Sequence, residues 1–125
     1  MDAVAEEIKK ANINKIGLLG TIFTMGKGFF QKGLAKHGIE TITPDVDDQN
    51  KINKIIYGEL IRKVVKEDSR QFTLKCINRL VDKGAEGIIL GCTELPFLIQ
   101  QEHTNVKLFD TTKIHSQKAL EFAGF

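Results

Sequence analysis

Residues 87–91 read Gly-Ile-Ile-Leu-Gly, and this run narrows the choice of fold more than any other part of the chain. In an extended strand successive side chains point to opposite faces, so three consecutive large aliphatics load both sides with apolar surface. Such a strand must be covered on both faces, as in parallel sheets sandwiched between helices. The segment before it agrees. Phe72, Cys76, Ile77, Leu80 and Val81 recur at helical spacing, with Asp68 or Ser69 as the candidate cap and Lys83-Gly84 as the stop.

The rest of the chain repeats this alternation. Residues 3–11 read as a short amphipathic helix with Val4 and Ile8 on one face. Residues 15–20 read as a buried strand, and residues 23–37 as one helix with Gly38 closing it. Residues 39–43 form a short β-branched strand ended by Pro44. Asp45, Asp47 and Asp48 supply a helix start rather than a cation loop, since no matching ligand set or glycine turn follows. The helix they open carries an apolar stripe of Ile52, Ile55, Ile56, Leu60 and Ile61. Residues 106–110 are a last strand and residues 111–122 a last helix. Strands separated by helices pair in parallel through right-handed crossovers, so a four-stranded parallel sheet is expected. Ligands of such sheets sit beyond the carboxyl ends of the strands. Three loops should therefore share one edge: Gly20 to Thr24, Gly91 to Glu94, and Asp110 to Thr112.

Composition excludes several function classes. The chain has 125 residues, enough to bury a core without disulfides or metal. Apolar residues make up 42% and charged residues 27%, with a net charge of +2 and both signs interspersed. That pattern is not the basic stripe of a nucleic-acid binder. The apolar runs are too short to span a bilayer, and residues 1–10 lack the apolar stretch of a secretory signal. Cys76 and Cys92 give neither a disulfide framework nor metal-ligand spacing, so no metal and a reducing, cytoplasmic setting are expected. Met25-Gly26-Lys27-Gly28 matches neither phosphate-binding glycine pattern; Gly26, Gly28 and Gly33 are expected to permit close helix–sheet or domain contact.

Cys92 is the residue best placed for chemistry. It follows the strongest strand and stands where backbone N–H groups of a following turn can lower its pKa, making a base or a nucleophile. A small buried apolar cysteine is the alternative reading. Cys76, at core spacing within a helix, is read as packing.

The stretch from Gly84 to Pro96, which includes Gly91-Cys92-Thr93-Glu94, resembles the second cysteine motif of the aspartate/glutamate racemase family. Lys15 to Thr21 with Phe23-Thr24-Met25 resembles the family's Gly-Thr-x-x-Thr loop. Ile55 to Leu60 followed by Ser69-Arg70, and Phe109 to His115, are similar to its linker-helix region and its final strand and helix. The resemblance implies two similar α/β domains facing each other across a cleft. It implies a flavodoxin-like three-layer domain for residues 1–125, matching the C-terminal half, with the N-terminal half absent. The activity it implies is racemisation of acidic amino acids without pyridoxal phosphate or any other cofactor. One cysteine thiolate removes the α-proton and a second cysteine returns a proton to the opposite face. By the same resemblance Cys92 is one acid/base group, and Thr21, Thr24 and Thr93 line the pocket for the α-carboxylate. Glu94 either hydrogen-bonds near Cys92 and tunes it as a substrate-site residue or caps the following turn. The chain departs from the family in lacking the first-half Cys-Asn-Thr motif. Near the position of a cationic side chain for the distal carboxylate stands Ile61, with Arg62 and Lys63 beside it. A partner is therefore expected, either a separate N-terminal half or a second copy. Two other readings stay open: a non-catalytic amino-acid-binding or dimerisation domain, and a related paired-cysteine decarboxylase or isomerase. Asp110, Thr111 and Thr112 either border the cleft or cap the last helix, and His37, His103 and His115 read as surface or packing residues.

Overall fold

A computed structural model describes residues 2–26 and 28–122. Met1 and Lys27 of the glycine loop lie outside the described residues. The elements follow in the order α1 (Asp2–Lys10), β1 (Lys15–Leu19), α2 (Ile22–Gly26), α3 (Phe29–Ala35), β2 (Glu40–Ile42), α4 (Val46–Gly58), α5 (Glu67–Asp82), β3 (Gly87–Leu90), α6 (Leu95–Leu98), β4 (Lys107–Asp110) and α7 (Thr111–Phe122). Single 3-10 turns lie at Leu60–Arg62 and Gln101–His103.

The four strands form one parallel sheet in the order β2-β1-β3-β4. Its two faces carry separate cores. Leu19, Ile88 and Leu90 pack with Ile52, Ile56, Ile77 and Leu80 of α4 and α5. Ile16, Leu18 and Ile89 pack with Val4 and Ile8 of α1, Leu34 of α3 and Ile114 of α7. All four residues of β3 are buried, as the run at 87–91 requires of a strand covered on both faces. The expected three-layer α/β architecture is the one observed.

Two glycines let the layers close. A Cβ on Gly17 would stand 2.6 Å from Ile88 Cδ1 and 3.0 Å from Leu80 Cδ1. On Gly87 it would stand 2.9 Å from both Ile16 Cδ1 and Phe109 Cε2. By contrast, nothing lies within 4 Å of a Cβ on Gly26 or Gly28, so these two serve no close contact with the sheet. Gly28 has another task. Its φ of 77° ends the expected single helix over 23–37 and splits it into α2 and α3.

Three more expectations are corrected. Helix α5 starts at Glu67, with Lys66 as the N-cap, so neither Asp68 nor Ser69 caps it. The Ser69 hydroxyl instead donates to Glu59 at 2.6 Å and ties the start of α5 to the end of α4. Val81 is exposed rather than buried, and so is Ile61, because the chain leaves α4 into the 3-10 turn and the helical phase is lost after Leu60. Other readings hold. Asp45 caps α4 by accepting from the Asp48 amide at 2.9 Å, and Asp48 pairs with Arg79 at 2.8 Å. Asp110 Oδ1 accepts from the Lys113 amide at 3.1 Å, which is a helix-start contact. Among the described residues no helix is long and apolar enough to cross a membrane.

Replacing Gly17 by Ala should cost about 1–3 kcal/mol of unfolding free energy, because the methyl must displace Ile88 and Leu80 in a filled core. Urea denaturation checks this; an unchanged midpoint would show that α5 does not sit as tightly on the sheet as described.

Candidate functional site

The sheet order reverses between β1 and β3, since β1 leads on to β2 at one side and β3 to β4 at the other. The loops leaving β1 and β3 thus flank a topological switch point, where open α/β sheets form their crevices. These two loops carry four of the five expected site residues within a few positions of a strand end, and Thr24 follows on α2.

The two loops interlock through Thr24. A Cβ on Gly20 would stand 2.9 Å from Thr24 Cγ2, and one on Gly91 would stand 3.2 Å from the same methyl and 3.1 Å from the Leu19 carbonyl oxygen. The Gly91 amide donates to that carbonyl at 2.8 Å, carrying the β1–β3 ladder one residue into the loop. Thr21 Oγ1 accepts from the Thr24 amide at 3.2 Å and lies 3.1 Å from Thr24 Oγ1. The Ile22 amide donates to Asn53 Oδ1 at 2.9 Å, which anchors the β1 loop to α4. The β3 loop is anchored on the other side, where Arg70 Nε donates to the Leu98 carbonyl at 2.7 Å. The structure thus brings Thr21, Thr24 and the Gly91-Cys92 turn together. Thr111 stands behind this turn, buried, with its hydroxyl donating to the Leu90 carbonyl at 3.3 Å.

Cys92 is half-buried, whereas Cys76 is 0% exposed and belongs to the core. The Cys92 thiol donates to Glu94 Oε2 at 3.5 Å, and the same carboxylate oxygen accepts from the Thr93 hydroxyl. Glu94 therefore folds back over the turn and binds the two residues before it. This overturns the expectation of a lowered thiol pKa. Burial pushes the Cys92 thiol up from its ordinary 9.0, and the Glu94 carboxylate adds to the rise. The amides of Glu94 and Leu95 pull the other way but do not win. Cys92 accordingly keeps its proton through neutral pH. Burial also pushes Cys76 up, to about 12.

A cavity of about 360 Å³ adjoins Glu94 and is walled by Leu60, Ile61, Lys63, Val65 and Phe97. Val65 and Phe97 were not among the expected site residues; Val65 lies in the link before α5 and Phe97 on the four-residue α6, both too short to show a periodic face. A larger cavity, about 520 Å³, follows the edge of β4 past Gln101 and Lys113 and includes none of Cys92, Thr93 or Glu94. The smaller cavity meets the candidate site only through Glu94; Cys92 and Thr93 do not line it either. Among the described residues no cluster of three or more His, Cys, Asp or Glu side chains is arranged to hold a metal ion. His37 contacts Asp2 at 3.1 Å, His103 accepts from the Gln100 amide at 2.9 Å, and His115 is exposed.

A thiol reagent should modify Cys92 more than about tenfold faster than Cys76, which reacts only after local opening. Peptide mapping after timed labelling of the folded chain checks this, and equal rates would contradict the placement of the two thiols.

Comparison with known proteins gives the chain's family and fold relatives. The family described as Asp/Glu/Hydantoin racemase matches residues 1–119. A Yersinia pestis protein described as an Asp/Glu racemase candidate superimposes with a TM-score of 0.92 at 46% identity, over 98% of this chain and 54% of that one. The aspartate racemase homologue of Pyrococcus horikoshii OT3 gives a TM-score of 0.92 at 39% identity, over 99% of this chain and 54% of that one. The glutamate racemase of Aquifex aeolicus is 27% identical over 95% of this chain and 45% of its own length. The chain thus spans about half the length of these relatives. With a match over nearly all of its length, the chain belongs to the Asp/Glu/Hydantoin racemase family.

Proposed function

We propose that the chain contributes Cys92 as one of two acid/base groups in a cofactor-independent amino-acid racemase. The observation that carries this reading is the half-buried Cys92 thiol on the switch-point loop, bonded to Glu94 and one residue after Gly91, which lies against the Thr24 methyl. Inversion at Cα needs a base on one face and an acid on the other. Cys92 supplies one of them, and a group outside this chain supplies its opposite, from a further domain or a partner.

The chemistry follows from the contacts. As a thiol, Cys92 is in the proton-donating state, able to deliver a proton to a carbanion-like Cα. In the other direction it must first lose its proton, and Glu94 Oε2 is the acceptor already in contact with it. A sulfur left as thiolate then takes the α-proton, and the C–H electron pair remains on Cα. Hydroxyls of Thr21, Thr24 and Thr93 are suited to the substrate α-carboxylate, which must spread that charge. Two free thiols fit a reducing, cytoplasmic compartment. A paired-cysteine decarboxylase or isomerase would use the same thiol on a different bond, and a non-catalytic binding domain would leave it idle.

Deuterium uptake from heavy water into the α-position of D- and L-amino acids separates these readings. The account expects uptake with one enantiomer, rising with pH toward and beyond 9.0 as Cys92 ionises, and a loss of about 10²–10⁴-fold in Cys92→Ser. Uptake unaffected by Cys92→Ser would remove Cys92 from the mechanism.

A further inference from the structure

Strand β4 lies at the edge of the sheet and pairs only with β3. An edge strand presents a row of outward N–H and C=O groups with which another chain can pair. Here one side chain covers the middle of that row. Gln101 Nε2 donates to the Val106 carbonyl at 2.7 Å, and Gln101 Oε1 accepts from the Leu108 amide at 2.9 Å. A parallel neighbour strand would set one residue's N–H and C=O on these same two groups, so the carboxamide stands in for a strand residue beside Lys107. The Thr104 hydroxyl accepts from the Val106 amide at 3.3 Å and extends the cover by one group. The N–H and C=O of one strand residue point the same way, and the direction alternates along the strand. The next outward groups are therefore the Leu108 carbonyl and the Asp110 amide. They border the cavity of about 520 Å³ that Gln101, Leu108 and Asp110 help to line.

The occupant that fits this edge is its own copy. In a parallel pair an outward residue stands opposite an inward one, and a two-fold axis cannot satisfy that for both copies. An antiparallel pair centred on Leu108 can. Each Leu108 amide then donates to the Leu108 carbonyl of the other copy, and Val106 and Asp110 of opposite copies exchange the flanking bonds. The side chains suit this register. Half-buried Leu108 meets Leu108 of the second copy on one face of the sheet. On the other face Lys107 stands opposite Phe109 of the second copy, and within one chain Lys107 Nζ already lies 5.4 Å from the Phe109 ring centroid. The central bond needs the Leu108 amide, which Gln101 holds. We propose that the β4 edge is a pairing surface for a second copy of this chain and that the Gln101 carboxamide keeps it closed. The inference is independent of the role of Cys92.

The test is the Gln101→Ala variant, followed by sedimentation and by amide hydrogen exchange. In dilute solution its Leu108 amide should exchange about tenfold faster than in the native chain, because the acceptor is gone. At raised concentration the variant should dimerise and protect the Leu108 and Asp110 amides again, while the native chain makes no contact through β4. Adding Leu108→Lys sets two like charges directly opposite each other and should abolish the dimer. An unchanged Leu108 exchange rate overturns the closing role of Gln101. A Gln101→Ala chain that stays monomeric, or a dimer that survives Leu108→Lys or protects amides outside β4, overturns the pairing surface. None of these results bears on Cys92.

Discussion

The pairing of β1 with β3 is the contact on which the rest of the structure depends. It places Gly17 opposite Ile88 and Leu19 opposite Leu90, and it continues past the strands through the bond from the Gly91 amide to the Leu19 carbonyl. Because the sheet order reverses across this pair, the two loops that leave it flank the topological switch point. Because Gly20 and Gly91 lack side chains, Thr24 wedges between those loops and fixes their separation. The core and the site are thus one construction: the same strands that bury Leu18, Ile88 and Ile89 end at Thr21 and Cys92.

Much of this was legible in the sequence, and the reasons are physical. The run Ile88-Ile89-Leu90 has only one good environment, a strand covered on both faces, and it led to the parallel sheet. Once strands and helices alternate, the shared edge of the Thr21 and Cys92 loops follows from chain direction alone. The illegible parts depend on local geometry that spacing does not encode. Gly28 breaks a helix because of its φ, which the residue types on either side of it do not encode. Ile61 looked like the next member of the α4 stripe, but one 3-10 turn rotates it out of the core and into a cavity wall. The raised Cys92 thiol was illegible for a similar reason. A carboxylate two residues away reaches the sulfur only if the turn folds it back.

That fold-back gives the site its particular chemistry. Burial alone would keep the proton on sulfur, and Glu94 reinforces this while also offering the nearest place for the proton to go. A single carboxylate thus holds the thiol in its donating form, orients it, and forms the wall of the neighbouring cavity.

The most direct test of this account is a site-specific titration of the Cys92 thiol. The β-carbon of labelled cysteine is followed by NMR across pH in the native chain and in Glu94→Gln. The account predicts a midpoint above 9.0 for Cys92 in the native chain and a lower one once the carboxylate charge is removed. A midpoint below 9.0, or one that does not move in Glu94→Gln, would contradict it.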